Sequence, residues 1–494
     1  MFYQIKNLMF LLKLFYLLIR SNIIYYLLLL LISDDISYKS NIKTKLGAKF
    51  TLILIKLGPL FIKLGQVLST RSDILSDEII SKLTQMNDTL PPFSFQQVQK
   101  IFQLEFNTSI ENIFTSFEKK SIAAASIAQV HKAITKNGEA VAVKILRPKI
   151  KKKYSDNLHF IQYLSTILNF FLRKKKVNFN EVINTLKKTA KIETDLRLEA
   201  AAADKIKENC QKDSNIYIPK VHWELTRKRI LTLEWIEGTS INKIEELKSN
   251  NFNLDTITKN LAIIFLNQAC RDGLFHADIH PGNIIIRENN DIALVDFGIV
   301  CDLKYELKIF VVDVMYGFLN KKYSQIKDLH FKTGYISSDQ SEFEFELACR
   351  SIGEAIIGKP IGEISLGRLL KHLFEISRNF SVKIHPELLL LHKTILTIEG
   401  ISYKLNPKIN MWQLARPWIK DWANENLSTK SKILKLKNQQ ENFIKKIKKI
   451  IYHNYKSKVS NHSNKKVLRL SLLITIINMG VLLNFLFKNI TLSI

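Results

Sequence analysis

The chain is poor in cysteine: Cys210, Cys270, Cys301 and Cys349 are the four in 494 residues, with no Cys-x-x-Cys and no clustered histidines beside them. That spacing offers neither a disulfide framework nor a zinc site, and it points to a reducing, cytosolic setting for any catalytic portion. Acid is scarce as well. Asp and Glu number 45 against 73 Lys and Arg, a net charge of +28. Such an excess suits an anionic partner, either nucleic acid or a membrane surface. Lys, Ile and Asn are abundant throughout, however, so drift in composition alone would raise the charge. No module of interleaved aromatic and basic residues accompanies it, and nucleic acid is not expected as a partner. A small-residue cleavage site is missing behind the apolar N-terminus, where Ser33-Asp34-Asp35 follows Leu31 and Ile32; a secretory signal is therefore disfavoured.

What the chain does have is two apolar ends and an ample apolar fraction, 46%, for a core between them. Residues 1–33 carry Lys6, Lys13 and Arg20 at seven-residue intervals among Leu, Phe and Tyr. On a helix these cations share one side, the pattern of an amphipathic helix lying in a membrane interface. At the other end a basic stretch, 428–469, precedes residues 470–487, which carry no formal charge. This is near the lower limit for a transmembrane helix, and the preceding lysines assign their side to the cytoplasm. The alternative is a C-terminal amphipathic helix or a hairpin dipping into the bilayer.

The chemistry concentrates in residues 276–298. His276-Ala-Asp278-Ile-His-Pro-Gly-Asn283 leads into two apolar runs around a polar turn, 288–291, and then into Asp296-Phe297-Gly298. The runs read as a β-hairpin that fixes the distance between the two ends. A phosphotransferase of the protein-kinase type needs these groups together: Asp278 to accept or orient the nucleophile's proton, Asn283 and Asp296 to hold magnesium against phosphates.

Upstream, residues 128–146 form two apolar runs joined across Lys136-Asn-Gly-Glu, which predicts a hairpin with Lys144 on its second strand. Val-Ala-Val-Lys is where a kinase-like fold keeps the lysine for the α- and β-phosphates. Glycine is lacking where it would be expected next. The loop Ile122-Ala123-Ala124-Ala125-Ser126-Ile127-Ala128-Gln129-Val130 puts alanines where a Gly-rich loop would cover the nucleotide. Their methyl groups deny the backbone the close approach and positive φ that glycine permits, so phosphoryl transfer should be restrained.

Three helices bear on this site. One is predicted from Pro59 onward and sets Lys63 and Gln66 three apart on one face; spacing alone does not separate them from solvated side chains. A long helical stretch, 178–209, carries Glu193, Asp195 and Glu199 as partners for distant lysines. A third, beginning at Pro386, looks buried, and its Lys393 and Glu399 read as structural rather than catalytic. From Gly298 to about 427 the chain reads as helical, with no Ala-Pro-Glu and no activation segment.

From about residue 45 to 410 the chain resembles the UbiB/ADCK family of atypical kinase-like proteins. The resemblance rests on Lys63-Leu-Gly-Gln66, the alanine-rich loop, Lys144, Glu193-x-Asp195, Glu199, residues 276–283 and Asp296-Phe-Gly. It implies an α+β, two-lobed protein-kinase-like fold: a helical extension over 34–115, an N-lobe over 116–237 and a C-lobe over 238–427. It further implies that Lys63, Gln66, Glu193 and Asp195 gate the site, that residues 122–130 and Lys144 bind ATP or ADP, that Asn283 and Asp296 hold Mg2+, and that Lys63, Lys144, Glu199 and Asp278 serve catalysis. In such a family the role is ATPase or kinase activity supporting ubiquinone biosynthesis at the inner membrane of a bacterium. Membrane lipid, polyprenyl-phenol intermediates and other enzymes of that pathway would be the partners. A nucleotide-switched scaffold or lipid-binding protein is the competing reading. A small-molecule kinase of the choline type would share the His-x-Asp motif but leaves the Lys63 helix and the apolar ends unexplained.

Overall fold

The computed structural model describes residues 2–427 except 33–34, 70–74, 85, 87–89, 172–178, 358–371, 374–375, 377–379, 381, 383–384 and 409–410. The expected basic stretch 428–469 and membrane span 470–487 lie outside the described residues. The chain divides into a unit Met1–Lys420 and a unit Asp421–Ile494. The elements below belong to the first, except that the last helix, Met411–Leu427, crosses the boundary.

The apolar N-terminus is not the single helix expected. It forms α1 (Phe2–Arg20) and α2 (Ile23–Ile32), bent by 65° at a break where Asn22 takes φ 55. Asparagine enters the left-handed region more readily than most residues, which localises the break there. Phe10 of α1 stacks on Phe160 at 4.9 Å. On the other side Leu8, Met9, Leu12, Phe15 and Tyr16 stay more than half exposed. No single described helix is long and apolar enough to cross a membrane; this bent pair passes that test only when taken together.

Asp35 caps α3 (Ile36–Leu57) by accepting the Ser37 and Tyr38 N–H groups, and Gly58, at φ 111, ends it. Pro59, with its fixed φ and no N–H to lose, then opens α4 (Pro59–Ser69), as its sequence predicts. Leu60, Phe61, Ile62 and Leu68 are buried there together with Lys63. Next come α5 (Asp77–Thr84), α6 (Phe95–Phe106) and the short α7 (Ile110–Ile113).

The principal sheet has the order β1 (Phe114–Phe117), β3 (Ala128–Thr135), β4 (Ala140–Leu146), β6 (Ile230–Glu234), all antiparallel, with β2 (Ala123–Ala124) also on β3. The β3–β4 turn closes through Gly138 N–H to the Thr135 carbonyl at 3.0 Å, and Gly138 alone in it has positive φ, 82. It is therefore a type I turn with a glycine bulge instead of the two-residue Asn-Gly form. Along β4, Val141, Val143 and Ile145 are buried on one face against Val98, Ile101 and Phe102 of α6. Side chains alternate across a strand, so Lys144 is delivered to the opposite face.

Helices α8 (Ile150–Phe171), α9 (Phe179–Glu193) and α10 (Leu196–Asn209) follow. The helical stretch expected over 178–209 is thus two helices. Asp195 breaks it by adopting an extended conformation and accepting the Arg197 N–H as the N-cap of α10, a position its short side-chain carboxylate favours.

The second half hangs on two small sheets: β5 (Ile216–Tyr217), β10 (Ile292–Leu294), β9 (Ile284–Ile286) and β7 (Thr239–Ser240) in that order, and β11 (Val300–Asp302) paired with β8 (Leu274–His276). The β9–β10 pair is the predicted hairpin. After α11 (Ile244–Ser249), helix α12 (Leu254–Leu266) widens into a π turn over Asn267–Asp272, and Gln268 in that turn accepts the His276 N–H at 3.1 Å. Helices α13 (Tyr305–Leu319), α14 (Tyr323–Lys332), α15 (Glu342–Ile357) and α16 (Pro386–Leu405) complete the described C-terminal half, with Met411–Leu427 beyond.

Candidate active site

Lys144 lies between two carboxylates. Its Nζ is 2.8 Å from Glu199 Oε1 on α10 and 2.9 Å from Asp296 Oδ1. Burial disfavours the ammonium, but the two carboxylates outweigh it and hold the Lys144 pKa above the ordinary lysine value. Asp296 moves the other way. Against the desolvation that the surrounding protein imposes on this half-open carboxylate, Lys144 and the Gly298 N–H hold it well below the usual carboxylate range. Glu199 is pushed up to about 7, first by burial and then by the Asp296 charge, with Lys144 opposing. Asp296 therefore carries the anion that Lys144 balances, and Glu199 positions the lysine.

The backbone around Asp296 is specialised. Asp296 has φ 63, uncommon for a residue with a side chain. Its Oδ1 accepts the Gly298 N–H at 3.2 Å. A Cβ at Gly298 would sit 3.2 Å from that same oxygen and 3.8 Å from Glu199 Oε2, so glycine leaves the carboxylates their space.

Asp278 occupies a second charged group. Its Oδ1 is 2.9 Å from Lys393 Nζ, reaching over from α16. Thr394 beside it donates its hydroxyl to the Leu390 carbonyl of its own helix at 2.9 Å and lies 3.5 Å from the Ala277 carbonyl. Burial raises the Asp278 pKa, but Lys393, Lys63 and His280 together lower it below the ordinary value. Two imidazoles shape the loop. His276 Nδ1 faces the Asp278 N–H at 3.2 Å and Nε2 faces the Val295 carbonyl at 3.4 Å. That arrangement makes Nδ1 the acceptor of a neutral ring, in keeping with a pKa lowered by burial. His280 Nδ1 accepts the Gly282 N–H at 3.1 Å, and a Cβ on Gly282 would meet that ring at 2.8 Å.

Asn283 is buried and donates Nδ2–H to the Asp278 carbonyl at 3.2 Å, leaving Oδ1 as the atom that could ligate a cation. Its own carbonyl accepts the Val295 N–H at 3.0 Å, which ties it next to Asp296 across the hairpin. The Asp296 side chain remains 45% exposed and can be approached. Among the described residues no group of three His, Cys, Asp or Glu could cage a metal. One carboxylate and one amide oxygen instead fit a magnesium ion that takes its other ligands from phosphates and water.

Lys63 meets Glu193 at 2.9 Å, both nearly buried, and Tyr154 donates its hydroxyl to the other Glu193 oxygen at 3.1 Å. Gln66 is half-buried on the same helix. Asp195, expected to pair with a distant lysine, instead holds Arg197 through both oxygens at 2.8 and 2.7 Å. A residue already spent on a helix cap binds the nearest cation on that cap.

The alanine-rich loop turns between β2 and β3, Ala125 N–H bonding the Ala128 carbonyl at 2.8 Å across Ser126 and Ile127. Among the described residues none from 121 to 130 takes positive φ, as alanine requires. Ile122 and Ala123 are exposed, Ala124, Ala125 and Val130 half-buried, and Ser126, Ile127 and Ala128 buried. The Ser126 hydroxyl has no partner among the described residues. Gln129, expected among the nucleotide-binding residues, is turned away: its amide bonds Phe93 N–H and carbonyl, at 2.8 and 3.3 Å, and His131 at 2.8 Å. Alternation along β3 and a ready backbone partner at Phe93 explain the difference.

Sequence reasoning missed two residues. Lys393 was read as structural, yet it pairs with Asp278; the available signal was a cation interrupting an otherwise apolar face in Leu388-Leu-Leu-Leu-His-Lys393. Arg147 clamps the loop, its guanidinium donating to the Ala125 carbonyl at 2.7 Å and the Leu90 carbonyl at 3.2 Å.

Residues 85–330 match the ABC1 atypical kinase-like domain, and residues 349–410 match the UbiB helical domain. Proteins named "Probable protein kinase UbiB" align along most of the chain. That of Marinobacter nauticus is 34% identical over 401 residues, 80% of this chain and 73% of the relative. The chain belongs to the UbiB family. The Shewanella woodyi member is 35% identical over 402 residues, covering 80% of this chain and 73% of its own length. The Pseudomonas fluorescens member is 34% identical over 408, covering 82% and 76%. Among solved structures, the complex of Rv3197 with erythromycin from Mycobacterium tuberculosis superposes with a TM-score of 0.52 at 23% identity, covering 71% of this chain and 90% of that one; this likeness shows the kinase-like fold. Within the UbiB frame, Lys144, Glu199, Asp278, Asn283 and Asp296 fall in the kinase-like domain, Lys393 in the helical domain and Lys63 ahead of both.

Proposed function

We propose that this UbiB-family chain binds ATP with magnesium and transfers or hydrolyses its γ-phosphoryl group in support of ubiquinone biosynthesis at a membrane. The observation that carries the reading is Lys144 held between Glu199 and Asp296. A buried lysine of fixed position beside a carboxylate that stays ionised is the pair a triphosphate and its metal require. Bound magnesium would supply charge neutralisation on the phosphates, with Asp296 and Asn283 Oδ1 as its protein ligands. Lys144 contacts phosphate oxygens. Asp278 orients the acceptor oxygen, a water or a hydroxyl, and takes up its proton. As the acceptor oxygen bonds to the γ-phosphorus, the bridging P–O bond breaks and its electron pair leaves on ADP. Loose phosphoryl-transfer states ask little else of the protein.

The membrane setting rests on α1 and α2, whose exposed Leu, Met, Phe and Tyr would enter a lipid interface on the cytoplasmic side of a bacterial inner membrane. Polyprenyl-phenol intermediates of the ring-hydroxylation steps are the lipid-borne molecules to which turnover would be coupled, alongside other enzymes of the pathway. ATPase of the full chain, measured with and without anionic liposomes carrying a polyprenyl-phenol mimic, tests this. Stimulation by both supports it, and indifference to both removes the membrane coupling.

One observation favours a second reading. Asp278 is already paired with Lys393, so a chain that only binds nucleotide and switches a scaffold is the competitor. Full rescue of a ubiquinone-deficient strain by the Asp278→Ala variant would support that scaffold.

A further inference from the structure

The ion pair between Asp278 and Lys393 is partly open, with the two side chains 30% and 33% exposed. It joins the motif loop of the kinase-like domain to a helix that lies in the separate UbiB helical domain. Leu391, Thr394, Ile395, Ile398, Ile401, Ser402 and Leu405 make the buried stripe of α16, and Lys393 stands at its edge, aimed at Asp278. The helix packs there through its neighbour Thr394, almost fully buried with its hydroxyl 3.5 Å from the Ala277 carbonyl. Within the motif loop His280 is folded back onto the Gly282 N–H. Lys63 and His280 act on Asp278 only through their charge, whereas Lys393 of the helical domain makes the direct ion pair.

We propose that Lys393 is a second phosphate-binding cation of this site, one that exchanges its partner Asp278 for the γ-phosphoryl oxygens when ATP binds. The exchange does two things at once. It replaces one oxyanion partner by another of greater charge, so the lysine is never left unpaired, and it releases Asp278 to take the acceptor's proton. No bond to Lys393 forms or breaks. Lys144, between Glu199 and Asp296, and Lys393, on Asp278, then act on different phosphates. A helix outside the kinase-like domain thereby becomes a condition for turnover.

The inference rests on the phosphotransfer reading, and the experiment separates the two. ATP and ADP affinities of the full chain in detergent are measured by calorimetry with magnesium present, for the wild type and for Lys393→Gln and Lys393→Arg, with a thermal unfolding scan of each. Losing a charge-assisted bond made only to the γ-phosphate should weaken ATP about tenfold or more while leaving ADP unchanged. Lys393→Arg should recover most of that discrimination, and kcat should fall more than KM rises in Lys393→Gln. Equal weakening of ATP and ADP with a lowered unfolding temperature, or no change in either affinity, would overturn the proposal in favour of a structural tie. A wild-type chain that binds neither nucleotide would overturn the phosphotransfer reading, and this inference with it.

Discussion

Lys63 and Glu193 meet at 2.9 Å with side chains 9% and 3% exposed, so the helical extension ahead of the sheet is bolted to α9 by an almost dry ion pair. Glu193 also accepts the Tyr154 hydroxyl. The extension is thereby held beside the motif loop, close enough for the Lys63 charge to lower the pKa of Asp278. A buried pair is a demanding arrangement, since each charge is tolerated only while the other is present.

That asymmetry gives the first prediction. Lys63→Met leaves Glu193 buried without its cation and should cost about 3–5 kcal/mol, as removal of one partner of a buried pair does. Lys63→Met with Glu193→Gln removes both charges and should recover part of the loss. Urea unfolding of the single and double variants checks this; additive losses would show that the two charges are not coupled.

Glu199 supplies the second, on pH. Its folded-state pKa is raised from the ordinary 4.5 to about 7. A group raised on folding favours the native state most below its unfolded value and loses that contribution as pH rises through its folded one. Stability should therefore decline from this group between pH 4.5 and about 7. Asp296 acts in the opposite sense and at lower pH: its depressed pKa stabilises the fold above 3.8 and that contribution is lost on further acidification. Denaturant midpoints across pH 4.5 to 8 for wild type and Glu199→Gln test the first slope, which the variant should flatten. An unchanged slope would mean that Glu199 does not titrate there.

Gly298 gives the third. Alanine there would press its Cβ against Asp296 Oδ1, 3.2 Å away, while Lys144 holds that oxygen from the other side. Gly298→Ala should keep the fold, since the position has no positive φ, and lower nucleotide turnover up to about a hundredfold by misplacing the carboxylate. Steady-state ATPase beside circular dichroism would separate the two effects, and wild-type turnover would show that the carboxylate has slack.

What could be read in the sequence was local. The hairpin between Asn283 and Asp296, the helix opened by Pro59 and the strand that carries Lys144 each follow from neighbours a few residues apart, where turn chemistry and periodicity act. The pairing of Lys144 with Glu199 spans 55 residues and was reached through family resemblance. Lys393 and Asp278 are 115 residues apart, and no periodicity connects them. The side-chain partners of Asp195 and Gln129 were not legible for another reason: each bonds the backbone nearby, in a helix cap and at Phe93, and a polar residue that satisfies the main chain leaves the same trace in sequence as one that faces a ligand. The bend at Asn22 did leave a trace: Arg20-Ser21-Asn22 is a polar interruption between two apolar runs, and the break falls on it.

In the proposed phosphoryl transfer Asp296, held by Lys144, serves a metal–nucleotide complex. Magnesium-dependent ATP hydrolysis by the full chain, wild type against Asp296→Asn, tests it most directly. The substitution keeps size and removes the charge, and loss of an interaction used in the transition state should lower kcat by about a hundredfold or more. Hydrolysis at the wild-type rate in Asp296→Asn, with the same magnesium dependence, would contradict the account.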